Sequence, residues 1–342
     1  MIVPAVFRWI LVSSLAWPLL LLHLTLLATL IHASGIAPTW MEYVQGPLSL
    51  TQWLAWNQRA DGWNFVLLIV GTGLCARAAW LIERWKRHDI DWLRTRSVAP
   101  LRLHSSVLLG LLCAAFIWLG ISAAVIETLP APQAAFEARA RVAADDAIWV
   151  DGHEPARVRI AAQGQGDALS LALIATRGAP QVRMQANWLD APEHAVLEVA
   201  TRGRLLVPLP AEGTRRVLEL RVEPEHAAAL WSPMDSYVLE RSERSRLGAV
   251  RMLLHGWLLI SMALCATLLC SLWMRAGIAI ALVAALMLAV GTRLPLQDTL
   301  DFLRLGWLPR WPDPMLIAMT LTGCLLTPVI AGWSWVRVRR RR

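Results

Sequence analysis

The sequence predicts an α-helical membrane protein with six transmembrane helices, three before and three after an inserted all-β domain on the outer, periplasmic side. Three observations lead there. Apolar residues make up 56% of the chain, and nineteen Trp stand against two Tyr, a composition unlike that of a soluble globular domain. Six apolar runs approach or exceed the length that crosses a hydrocarbon core of about 30 Å at about 1.5 Å per residue. Between the third and fourth runs, short alternating segments replace the long apolar ones. The net charge of +8 would suggest nucleic acid in a soluble chain. Here much of it sits in one inter-span loop and the tail 337–342, so membrane topology explains it and no nucleic-acid partner is expected.

The first run, 9–31, follows Arg8, which places the N-terminus inside. It is too long for a typical signal peptide and is expected to remain in the mature protein. In the outer loop 32–63, Leu48, Leu50, Trp53, Leu54 and Trp56 form an apolar stripe, expected to lie flat at the interface. The run 64–82 returns inward, with Arg77 near enough to its inner end to snorkel. The loop 83–104 carries six basic residues (Arg84, Lys86, Arg87, Arg94, Arg96, Arg102) against Glu83, Asp89 and Asp91, so it faces the cytoplasm. Within it Ile90, Trp92, Leu93 and Val98 recur at helical spacing and Pro100 marks a stop, which predicts a short amphipathic helix over about 89–97. Two readings fit that helix: an interfacial helix resting on lipid, or a coupling helix seated in a groove of a motor protein. The loop alone does not decide between them. The run 105–126 goes outward again.

The chain divides into 1–128, with the first three spans, 129–240, and 241–342, with the last three. Strands are predicted at 148–150, 157–161, 169–176, 181–188, 196–201, 204–207 and 217–222, with turn signals such as Asp151-Gly152 and Glu212-Gly213 between them. Seven short strands suggest a sandwich, a jelly roll or a related half-open fold. A charged stretch, 240–251, leads into the inward run 252–273. Met274 and Arg275 form a tight inner turn, and 276–291 returns outward as a short span that sits upright or thins the bilayer. A Trp- and Pro-rich outer loop, 292–313, precedes the last run, 314–336, and its basic tail.

No catalytic constellation emerges. Lys86 is the only lysine and no glycine-rich phosphate loop surrounds it, so the chain is not itself an ATPase and its energy must come from a partner. Cys75, Cys113, Cys265, Cys270 and Cys324 all lie in apolar runs and read as small buried hydrophobes. His194 and His226 accompany acids without a zinc spacing and read as loop histidines. No metal is expected. His23 lies near the middle of the first span, where an ionisable group faces protein or a cavity. His32 and Arg293 stand near outer span ends, where phosphate attraction and interface anchoring explain them equally.

Several stretches carry a family resemblance: HDIDWLRTRSVAPLRL (88–103), RSRLGAV (244–250), GWLPRWPDPMLIAM (306–319), and the segments ALIATRGAPQVRMQANW and HAVLEVATRGRLLVP. Together with the three-plus-three layout they resemble the LptF/LptG permeases of the lipopolysaccharide-export ABC transporter. Ser97 stands where that family usually has Gly, and Ala99 where it has Ser. The loop before the second span lacks the expected Pro, so the resemblance is to a divergent member. It implies a periplasmic β-jellyroll-like domain in a bacterial inner-membrane protein with cytoplasmic termini. It implies extraction of lipopolysaccharide or a related glycolipid, with ATP and Mg held by a cytoplasmic ABC ATPase dimer and no cofactor in this chain. The implied partners are a second LptF/LptG-like permease and a periplasmic LptC/LptA-like bridge protein. By the same resemblance Asp89 takes the place of the motor-facing acid, with Trp92, Leu93 and Arg94 beside it. His23, His32 and Arg293 become lipid-cavity candidates, and Leu171, Val199 and Leu206 candidates for the β-domain interior. The rival expectation is a non-transporting scaffold or sensor whose β domain binds a periplasmic partner.

Overall fold

The computed structural model describes residues 2–15, 27, 50–86, 99–128, 135–141, 148–150, 154–160, 166–175, 182–189, 197–201, 204–209, 216–222, 229–242, 246–291, 307–308 and 311–340. Among the described residues the helices are α1 (Ile2–Ser14), α2 (Leu50–Arg84), α3 (Pro100–Glu127), α4 (Arg246–Trp273), α5 (Ala276–Gly291) and α6 (Pro314–Arg340). Four of them contain segments long and apolar enough to cross a membrane: 58–84, 101–127, 248–273 and 314–334. α5 is apolar but shorter. By length and composition this is a helical membrane protein.

Local chemistry sets the helix starts. Pro100 opens α3 at its first turn, after an extended Ala99, because proline's missing N–H has no helical partner there in any case. It therefore begins the third helix, a role that the expected stop had hidden. At α6, the Asp313 Oδ1 accepts the Met315 N–H at 2.8 Å, with Pro314 between them, which is an N-cap followed by proline. α2 departs from expectation. The segment from Leu50 to Trp56 does not form a separate element, because it is the start of the same 35-residue helix that continues to Arg84. No proline interrupts it, and Gly62, the one glycine before the apolar run, costs only about 1 kcal/mol.

The helices share one core that includes Ile10, Trp63, Leu81, Leu111, Leu119, Met252, Leu264 and Val283. α1 and α3 run side by side in the same direction. A Cβ added at Gly110 would lie 3.1 Å from Ile10 Cγ2, and the Trp118 indole donates to the Ser14 carbonyl at 3.0 Å. α2, α3 and α4 meet around Gly256, where an added Cβ would lie 2.5 Å from Leu67 Cδ2 and 3.6 Å from the Leu119 methyls. The Trp257 indole reaches the Leu112 carbonyl at 3.1 Å, so the buried Trp118 and the half-buried Trp257 both keep a hydrogen-bond partner. Leu109, Phe116, Leu282, Leu321, Leu325 and Trp333 face outward, as lipid-facing side chains do.

The chain between α3 and α4 forms two sheets. Strands occur at all seven segments named above: β2 (Ile148–Val150), β3 (Ala156–Ile160), β4 (Ala168–Ala175), β5 (Val182–Trp188), β6 (Leu197–Thr201), β7 (Arg204–Pro208) and β8 (Arg216–Val222). Three further strands appear: β1 (Ala135–Arg141), β9 (Ala229–Ser242) and β10 (Trp307–Leu308). One sheet runs β10-β1-β9-β4-β7, with β2 also on β9, and the other runs β3-β8-β5-β6. β9 is the spine of the larger sheet. It pairs with β2 through 229–231 and with β1 through 237–242, and its register against β4 shifts in between. Pro233 lies in that shift, where a residue without an N–H interrupts no ladder bond. β9 also carries the sheet past residue 240, into the stretch read as a charged lead to α4. β10 comes from the connection between α5 and α6 and pairs in parallel with β1, Phe136 opposite Trp307 and Glu137 opposite Leu308.

Because α3 leads to the sheets and α4 leads away from them, the bundle has a sheet end and a far end. Of the expected loop 83–104, residues 83 and 84 belong to α2 and 100–104 to α3, and residues 86 and 99 lie at the far end.

Candidate functional site

The far end is built around the two-residue link between α4 and α5. α4 ends there with unsatisfied carbonyls and α5 begins there with unsatisfied N–H groups. Both are met from the end of α2. The Glu83 carboxylate accepts the Ala276 N–H at 2.6 Å. The Lys86 ammonium donates to the Ser271 carbonyl and, at 3.2 Å, to the Met274 carbonyl. An acid on a helix N-terminus and a base on a helix C-terminus both match the helix dipoles. Burial lowers the Lys86 ammonium from its ordinary pKa, and the Glu83 carboxylate works in the opposite direction. The link thus takes its caps from a helix nearly 200 residues away.

Beside this clamp lies a cavity of about 900 Å³, lined by Trp80, Glu83 and Arg84 of α2, Arg275 of the link, and Ala276, Gly277 and Ile278 of α5. The Arg84 guanidinium stands 5.5 Å from the centre of the Trp80 ring, and that of Arg77 stands 4.9 Å from it, within cation–π range. Arg77 does more than snorkel: its Nη2 donates to Ser13 Oγ of α1 at 2.7 Å, and it also lies over Trp9. A guanidinium this deep needs an acceptor, and α1 supplies it. His104 is buried in α3, edge-on to Trp85.

Charges also gather toward the sheet end. Arg59 of α2 is 3% exposed and pairs with Glu127 of α3 at 3.4 Å. Arg251 of α4 is 4% exposed, with its guanidinium 5.0 Å from the Trp311 ring centre. In the smaller sheet Glu219 of β8 is buried between Arg157, at 3.3 Å on β3, and Arg221, at 2.7 Å on its own strand. The Arg221 hydrogen bond, reinforced by Arg157, holds the Glu219 carboxyl below its ordinary pKa.

Asp89, Trp92, Leu93 and Arg94 lie outside the described residues, as do His23, His32, Arg293, His194 and His226. Leu171 is fully buried in β4. Val199 and Leu206 stand in β6 and β7, and their side chains lie outside the described residues. The five cysteines are free, and Cys265 and Cys324 bring their sulfurs to 3.8 Å across α4 and α6. The sequence reading missed Glu83 and Lys86 as a pair of caps, and Arg59 with Glu127. A signal existed for the first pair: an acid and a base one helical turn apart, at the end of a long apolar helix. No family model matches this chain, and neither a curated protein nor a solved structure matches it.

Proposed function

We propose that the chain is a divergent LptF/LptG-type permease subunit of an ABC transporter in the bacterial inner membrane. It extracts lipopolysaccharide or a related glycolipid and passes it to a periplasmic β-jellyroll relay. ATP hydrolysis is supplied by a cytoplasmic ATPase dimer, and a second permease and an LptC/LptA-like bridge complete the assembly. In this reading α1 and the chain after it form the first span and α5 the fifth, giving six spans with the far end in the cytoplasm. The observation that carries it is the placement of the two sheets between α3 and α4. They stand at one end of the bundle, while residues 86 and 99, which bracket 87–98, lie at the other.

The loop is the place to test it. A coupling acid pairs with a base in the ATPase groove while Trp92 and Leu93 fill its apolar part. Removing one partner of a desolvated pair costs about 3–5 kcal/mol, against about 0–1 kcal/mol for a surface pair. Asp89→Arg should abolish recovery of an ATPase with the tagged protein, and Asp91→Arg should leave it nearly intact. Equal behaviour of the two reversals, or no ATPase recovered with the native chain, removes the transporter reading. The scaffold or sensor reading is favoured by the exposed Arg157 and Arg221 on one face of the smaller sheet, a surface suited to an acidic protein partner. A photocrosslinker at Leu171 separates the readings: it captures lipid in a relay and only protein in a scaffold.

A further inference from the structure

We propose that the far-end cavity is a binding site for the phosphate headgroup of an anionic phospholipid in the adjacent leaflet. The site needs no transport activity and rests only on the membrane-crossing character of the helices. Arg84 and Arg275 bring two guanidiniums to the cavity from different elements, and guanidinium forks match phosphate oxygens in a bidentate way. Among the described residues the lining holds two arginines against one acid, Glu83, whose carboxylate accepts the Ala276 N–H. Gly277 faces the cavity as well. A Cβ there would meet nothing within 4 Å, so a ligand has free approach to the first turn of α5, whose N-terminal dipole favours an anion.

The apolar surroundings select a lipid over a soluble phosphate. Trp80, 46% exposed, carries the Arg84 guanidinium over its ring, and tryptophan belongs at headgroup depth. From the cavity an exposed apolar rail runs along α5, with Ile278 58% and Leu282 46% exposed one helical turn apart. A glycerophosphate without acyl chains would leave that rail bare. A phospholipid places its phosphate on the two arginines and a chain along Ile278 and Leu282.

Native mass spectrometry of the full chain, purified in detergent and titrated with palmitoyl-oleoyl phosphatidylglycerol or phosphatidylcholine, tests the site. A basic residue at an anionic lipid surface is worth about fivefold in affinity. Arg275→Gln should therefore lower phosphatidylglycerol retention about fivefold with the melting temperature unchanged, since Arg275 is exposed in the link. Arg84→Gln combined with Arg275→Gln should erase the preference over phosphatidylcholine, whereas Arg8→Gln with Arg102→Gln should preserve it. Ile278→Asn with Leu282→Asn should weaken retention of both lipids. A double-arginine variant that keeps the preference overturns the site. Displacement of the lipid by millimolar glycerol 1-phosphate, with no effect of the α5 substitutions, overturns the lipid and assigns the cavity to a soluble phosphate ester.

Discussion

Glu83 and Lys86 show how much one helical turn can decide. Counted in the sequence they are one acid and one base in a loop whose sign sets membrane orientation. In the fold they are the caps of two other helices. Neither Met274 nor Arg275 has a side chain that can accept the orphan N–H groups of α5, so the α4–α5 link depends on α2. Glu83→Gln keeps an acceptor but loses the charge, and should cost about 0.5–1 kcal/mol. Glu83→Ala loses both and should cost about 1–2 kcal/mol, read as a lower melting temperature in detergent. Because both residues serve one link, Glu83→Ala with Lys86→Met should cost less than the sum of the single changes. Charge reversal at Glu83 is for the same reason no control for reversal at Asp89, although the two stand six positions apart in the sequence. The spacing of the two residues was legible beforehand, but their partners were not, since hydropathy and charge counts report on segments and say nothing of contacts between residues 193 apart.

Elements were legible where pattern and punctuation agreed, and obscured where one contradicted the other. β4, with its Leu169 and Leu171, and β5, ending in Trp188, are bounded by turn residues and stand where alternation put them. β9 is longer than any of them, yet Pro233 and Asp235 interrupt its pattern, and only the register shift against β4 shows how a strand tolerates the proline. β1, AFEARAR, alternates charge with alanine, a weak strand former. The pairing of β3 with β8 carries a pH prediction. The Glu219 pKa is depressed by Arg221 and Arg157, so its stabilisation is fully present above the ordinary value of 4.5 and is lost as pH falls through the folded-state value. Glu219→Gln should lower the melting temperature of the full chain at pH 7. The gap between variant and native protein should close below pH 4.5, and a gap that persists in acid would mean that the carboxylate charge is not what Arg157 and Arg221 hold.

At the scale of the molecule, bundle and sheets are joined by more than the two chain crossings into α4 and out of α3. Leu308 is 1% exposed and belongs to the helical core, while its backbone extends the larger sheet. One residue thus serves both parts. Leu308→Ala should cost about 2–4 kcal/mol, and Leu308→Asp more, since it buries an unpaired carboxylate. Limited proteolysis should show cleavage within 129–134 or 243–245 rising in both variants before the bundle melts. If cleavage and melting stay together, β10 is only an ornament on the sheet edge. The division into bundle and β insertion was legible from hydropathy alone. The strut that returns from the connection between α5 and α6 was not, since two residues carry no periodicity.

That strut also sets an order of events during synthesis. β1 leaves the ribosome some 170 residues before the Trp307–Leu308 segment that covers its edge. At about 5–20 residues per second the edge stands bare for roughly 10–30 s, while β9 and α4 are still being made. An uncovered strand edge is a template for pairing with another chain. Chains released before residue 307 therefore present an adhesive sheet, and chaperones and proteases have their natural target in this protein along the backbone of β1.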